Sequence, residues 1–175
     1  VGVVKVSRED VPRIVTLPGR AVAVSSTAIR PRVGGIVTAI LYQPGGAIDA
    51  GTPMFQIDDT TYQADAASAA AQLASAEAQL TETKASFERT KRLAGAGSTE
   101  AQVDSARAAY DQAQASVQSA QADLTLAKAK LSWTTVKSPL AGVASVAAIS
   151  IGDLVTEGQA DAMATVTQLD PIEVD

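Results

Sequence analysis

The sequence contains no cysteine and no histidine. Thiol nucleophiles, imidazole acid–base catalysis and most transition-metal sites are thereby excluded, while carboxylate chemistry is not. Only Met54 and Met163 offer soft sulfur, too little for a Cu(I) site. Aromatic residues make up 3% of the chain, so its apolar fraction leans on Ala and Val and predicts thin packing layers. No run approaches the roughly 20 apolar residues that a membrane-spanning helix needs, and Val1 opens a β-like pattern rather than a charged and then apolar leader. The expectation is that any export signal or membrane anchor lies outside this stretch. Neither sign of charge dominates locally: 19 acidic and 14 basic residues are spread along the chain, leaving no basic field for a nucleic-acid backbone. No catalytic residue, metal site or cofactor site is expected.

What is present is a repeat. Gly35, Gly45 and Gly51 are matched in spacing by Gly142, Gly152 and Gly158, and Ile36, Ala39 and Ile48 run in parallel with Val143, Val146 and Val155. Each copy reads as short alternating strands, with Pro44-Gly45 and Gly152-Asp153 as turn signals. A unit of about 25 to 30 residues cannot offset ordering costs of roughly 1 kcal/mol per residue by itself. The two halves are therefore expected to pack on each other as a small sandwich.

Between the halves, over 59–133, Ala, Gln, Ser, Thr and Glu take over and the apolar period changes from two to three and a half. The first seam reads Tyr62, Ala66, Ala69, Leu73, Ala76, Leu80, Thr83, Phe87, Thr90 and Ala94. The second reads Val103, Ala106, Tyr110, Ala113, Val117, Ala120, Leu124, Ala127 and Leu131. Two unbroken seams of similar length predict an antiparallel coiled coil, whose arms of about 33 residues project roughly 50 Å. Gly95 and Gly97 end the first helix; Thr99 with Gln102 offers a capping box for the second, and Ser98 is a competing N-cap. At the hairpin base Asp58, Asp59 and Asp65 read as helix N-terminal charge rather than as a metal site. Mid-hairpin, 66–76 and 112–122 carry no charge, which suits good helix formers and equally suits side-by-side packing of hairpins.

Several segments resemble the membrane fusion proteins, or periplasmic adaptors, of tripartite efflux pumps. Ile29-Arg30-Pro31-Arg32-Val33-Gly34-Gly35-Ile36-Val37, running on to Gly51-Thr52-Pro53-Met54-Phe55-Gln56-Ile57-Asp58, resembles the first half of their lipoyl-like domain. The run 131–139, Leu-Ser-Trp-Thr-Thr-Val-Lys-Ser-Pro, with Gly142, Gly152 and Gly158, resembles the second. Asp10-Val11-Pro12 with Gly19 looks like the family's opening barrel strand, and Gln168-Leu169-Asp170-Pro171-Ile172 like the return into it. The match is most like adaptors serving resistance-nodulation-division transporters. The implied fold class is α+β: a lipoyl-like β-sandwich of two half-motifs, interrupted by a long helical hairpin, with part of a β-barrel at the chain ends. The implied domains are a barrel segment over 1–28, half-motif 1 over 29–58, the hairpin over 59–133, half-motif 2 over 134–170 and a return into the barrel over 171–175.

The resemblance implies a non-enzymatic adaptor in the periplasm of a Gram-negative bacterium, tethered to the inner membrane by a segment absent from this chain. It would bridge an inner-membrane proton-driven drug transporter and an outer-membrane channel, as one subunit of a trimeric or hexameric ring. An adaptor for an ATP-driven exporter or a protein-secretion system is the alternative. A biotinyl or lipoyl carrier is disfavoured, because the hairpin stands where such a carrier presents its modifiable lysine. The family's tip motif for the channel, an Arg, a Leu after three intervening residues and a hydroxyl past the turn, maps to Arg89, Leu93 and either Ser98 or Thr99, with the hydroxyl arriving sooner than in family tips. Read from physics alone, Arg89, Lys91 and Arg92 offset the helix C-terminal dipole by roughly 0.3 to 1 kcal/mol each. Both readings stay open from sequence.

Overall fold

A computed structural model describes residues 2–5, 20–95 and 97–174. The strands expected around Val6, Ile14 and Thr16, and the Asp10 to Gly19 opening, lie outside the described residues. Four strands precede the helices: β1 (Ala21–Ile29), β2 (Gly35–Ile40), β3 (Ala47–Ile48) and β4 (Pro53–Ile57). Helices α1 (Thr60–Arg92) and α2 (Glu100–Trp133) follow, and then β5 (Thr135–Lys137), β6 (Gly142–Ala144), β7 (Leu154–Val155) and β8 (Ala164–Val174). β1 and β8 pair antiparallel, spanning the expected boundaries at 28/29 and 170/171, with a register shift between Ala23 and Ser25.

The glycine repeat becomes a pseudo-two-fold. One sheet has the order β1-β8-β6-β3 and the other β5-β4-β2-β7, so exchanging each strand for its counterpart in the other half turns one sheet into the other. Neither half closes alone. β3 leaves its own half to pair with β6, and β7 leaves its half to pair with β2. The interlock answers the entropy cost that a single short unit cannot meet. Between the sheets, Met54, Phe55 and Ile57 from one half meet Met163 and Val166 from the other, all fully buried. Tyr42 sets its ring edge-on to Phe55, 5.4 Å between centroids, and its hydroxyl donates to the Ser145 carbonyl at 3.0 Å.

The glycines repeat for matching reasons. A Cβ at Gly35 would lie 2.6 Å from Ile57 Cγ2, and one at Gly142 would overlap the Thr167 carbonyl. Both sit where another element approaches the backbone. Gly45 and Gly152 (φ 75° and 97°), like Gly51 and Gly158 (φ 85° and 68°), are turns in the left-handed region instead. The matched apolar pairs differ in burial. Ile48 and Val155 turn inward, but Ile36 and Val146 are exposed, and the buried counterparts are Val37 and Ala144. In strands this short, the alternation fits either face.

The helices form the expected hairpin. Every residue of both seams is buried or half-buried except Ala94. That residue lies past the end of α1, whose C-cap is Leu93, so the first seam stops one step earlier than its period suggests. Small Ala69, Ala113 and Ala120 are the most enclosed seam residues together with Leu124, and Phe87 stacks on Tyr110 with 6.0 Å between centroids. At about 1.5 Å per residue, the 33 residues of α1 carry the turn about 50 Å from the sandwich. None of the described helices is long and apolar enough to cross a membrane.

Candidate functional site: the hairpin tip and its root

A lever is useful only if its root is fixed. Asp58 accepts from both the Thr60 hydroxyl (2.7 Å) and the Thr60 N–H (3.0 Å), which opens α1 and holds the Asp58 carboxyl below the ordinary aspartate range. Asp59 stands at the N-cap position without a side-chain cap bond, and Asp65 lies beyond the first turn, so of the three acids only Asp58 serves the helix start by hydrogen bonding. No acidic cluster fit to hold a metal occurs among the described residues. The Tyr62 hydroxyl donates to the Gly34 carbonyl at 2.7 Å, tying the first turn of α1 back to the loop before β2.

At the other arm, Thr134 is buried. Its hydroxyl donates to Leu131 O (2.7 Å), while Gln56 accepts from the Thr135 hydroxyl at 2.9 Å and the Ile57 N–H donates to Thr134 O at 2.8 Å. Both arms are thus bolted to β4 and to the loop before β2. Gln56, Thr134 and Thr135 were not legible as a site, since the bonds join residues nearly eighty positions apart.

The far end is open. Arg89, Lys91 and Arg92 occupy the last turn of α1. Arg89 and Leu93 are exposed and, with Arg92, line one shallow groove. The Arg92 Nε donates to Glu88 O at 3.3 Å and Lys91 Nζ stands 5.8 Å from the Phe87 ring centroid; among the described residues nothing engages the Arg89 guanidinium. The Leu93 carbonyl accepts from the N–H groups of Gly97 and Ser98, both at 2.9 Å, and Gly95 supplies the positive φ (82°) that the reversal requires. Thr99 is the N-cap of α2 in a full capping box: its side chain accepts from the Gln102 N–H (3.4 Å), and Gln102 Oε1 accepts from the Thr99 N–H (2.9 Å). Ser98 is half-buried and does not cap. The tip therefore presents a cationic fork beside an uncovered Leu, with one hydroxyl committed to its own helix.

An intertwined β-sandwich of two half-motifs, split by a long helical hairpin, is the architecture that the resemblance implies. Residues 25–167 match the family described as RND MFP, barrel-sandwich hybrid domain. The chain belongs to this resistance-nodulation-division membrane fusion protein family. It is 39% identical over 175 residues to the Multidrug resistance protein MexA of Pseudomonas aeruginosa, covering 100% of this chain and 42% of that protein. It is 40% identical over 176 residues to the Multidrug efflux pump subunit AcrA of Escherichia coli, covering 100% and 44%. The chain thus spans less than half the length of these curated relatives. Among solved structures, MacA from Actinobacillus actinomycetemcomitans superposes with a TM-score of 0.78 at 23% identity, over 89% of this chain and 53% of that one, a likeness of fold.

Proposed function

We propose that this chain is part of a periplasmic adaptor that bridges an inner-membrane, proton-driven drug efflux transporter and an outer-membrane channel, with the hairpin tip as the channel-docking end. The observation that carries the reading is the uncovered pair Arg89 and Leu93 at the end of a hairpin about 50 Å long and anchored at its root. An Arg fork can grip carbonyls or carboxylates, and a neighbouring Leu can fill a groove. Ser98 joins them as the free hydroxyl of the turn, while Thr99 keeps the turn in shape. The family match, with the multidrug resistance named for one curated relative and the multidrug efflux pump named for the other, favours the proton-driven class over an ATP-driven exporter or a secretion system. The uncharged flanks over 66–76 and 112–122 suit a ring of adaptors whose hairpins stand side by side. The outer parts of the paired strands β1 and β8 are read as leading from the sandwich toward a β-barrel.

This stretch has no cysteine, so one introduced into it, compared with the unsubstituted full-length protein, reports one place. Leu93→Cys in the full-length adaptor should cross-link to the outer-membrane channel in cells, and Lys130→Cys near the root should not. Channel adducts from position 130 and none from position 93 would overturn the orientation.

A further inference from the structure

On the side of the sandwich where β1 and β5 are the free edges of their sheets, a groove of about 430 Å³ opens beside the end of α2. Its lining carries the internal symmetry of the fold. Ile29 and Val136, and Arg30 and Lys137, are each separated by the 107 positions that relate Gly35 to Gly142, so the groove straddles the pseudo-two-fold. Ile29 and Val136 are buried and form an apolar floor. Arg32 and Trp133 break the symmetry: the half-buried indole closes one wall, and the Arg32 guanidinium lies 4.1 Å from its ring centroid. Arg30 is held by a bond from its Nε to the Ala160 carbonyl at 3.2 Å. Arg30, Arg32 and Lys137 thus all line one apolar slot. Among the described residues no Asp or Glu lines it, in a chain whose formal net charge is −5.

We propose that this groove binds a planar, amphipathic organic anion: an aromatic carboxylate or sulfonate whose ring system lies on Ile29, Val136 and Trp133 and whose acid group meets Arg30, Arg32 and Lys137. The size falls in the range of small-molecule sites, which combine an apolar lining with a few convergent polar groups. Arg forks suit planar oxyanions, and Arg32 stacked on the indole loses little freedom on gripping one. A bare phosphate would leave the apolar floor unused, and a neutral hydrocarbon would leave the positive charge of the lining uncompensated.

Trp133 is the single tryptophan of the sequence, so its emission reports on the groove. The probe is 1-anilinonaphthalene-8-sulfonate, with N-phenyl-1-naphthylamine as a control that keeps the rings and lacks the acid. The expected result is saturable quenching of Trp133 by the sulfonate, with an apparent Kd raised about tenfold or more by combining Arg30→Gln with Lys137→Gln, while the neutral control binds more weakly and is unaffected by the substitutions. If the double variant loses its helical circular dichroism, Lys137→Glu alone, at an exposed side chain, carries the test. Absence of saturable quenching, equal affinity for the neutral control, or unchanged sulfonate affinity in a folded variant would each overturn the assignment.

Discussion

Gly45 and Gly152 make the same hydrogen bond from opposite halves of the molecule: the Gly45 N–H donates to the Ala144 carbonyl and the Gly152 N–H donates to the Val37 carbonyl, both at 2.8 Å. Each bond crosses from one half to the other. The next residues repeat the correspondence in reverse, with Gly46 O accepting from the Ala144 N–H at 3.2 Å and Asp153 O from the Val37 N–H at 2.9 Å. Because the two halves lie on either side of the hairpin, the sandwich can form only when the ends of α1 and α2 are brought together. Hairpin and sandwich therefore stabilise one another.

The steric and conformational glycines should respond differently to alanine. Gly142→Ala forces a Cβ into the Thr167 backbone, which cannot move aside like a side chain, and should cost about 3 kcal/mol. Gly152→Ala meets open space and strains only the positive φ, for about 1 kcal/mol. Urea midpoints of the two variants rank them. Equal midpoints would mean that β6 and β8 can separate without loss.

How much of this was readable without coordinates follows from which interactions are periodic. Tyr62 to Thr90 and Val103 to Leu131 could be assigned because a period of three and a half over many turns leaves one seam to choose. The seam overshot at Ala94, where the Leu93 cap and the Gly95 turn override periodicity. In the β-units the glycine spacing revealed the duplication, but strands of two to six residues could not say that Val37, rather than Ile36, faces inward. Nor could they reveal that β3 and β7 exchange halves. The root contacts of Gln56 and Tyr62 depend on chain reversal, which no local pattern encodes. At the tip, resemblance alone singles out Arg89 and Leu93, and the fold leaves both exposed.

The coiled-coil register is open to a paired substitution. Leu80 is half-buried in the seam and Gln79 points outward. Leu80→Asp should destabilise the hairpin by about 2 kcal/mol or more, because an unpaired carboxylate replaces an apolar contact. Gln79→Asp stays in water and should fall within about 0.5 kcal/mol of the parent. Helical circular dichroism during thermal melting separates the two, and matching shifts would place the seam elsewhere.

Acid should loosen the first turn of α1. The Asp58 carboxyl is held below its ordinary value by the side-chain and then the backbone bond from Thr60. Its contribution is therefore complete above the unfolded-state value and is lost as pH falls through the lower folded-state value. Thr60→Val removes the hydroxyl bond and leaves the backbone donor, so the Asp58 titration should move up toward the ordinary range without reaching it. Carboxyl carbon shifts followed by NMR against pH measure this directly. An unchanged titration would assign the depression to something other than Thr60.

Docking at the tip needs a control that separates recognition from fraying. Arg89→Asp places a carboxylate near the negative end of α1, and some unwinding follows whatever the residue does. Arg92 is a poor comparison, since it lines the same shallow groove as Arg89 and Leu93. Lys91 is better. It shares the last turn and hence the same dipole conflict, but its ammonium stands by the Phe87 ring and does not line that groove. If the tip grips a channel through Arg89, then in a strain lacking its own adaptor Arg89→Asp and Leu93→Asp should each restore drug sensitivity, with protein abundance and transporter binding intact. Lys91→Asp should keep most of the resistance. Fraying alone gives similar losses at positions 89 and 91. Full resistance with Arg89→Asp would remove Arg89 from the docking surface and shift the search to Leu93 and Ser98.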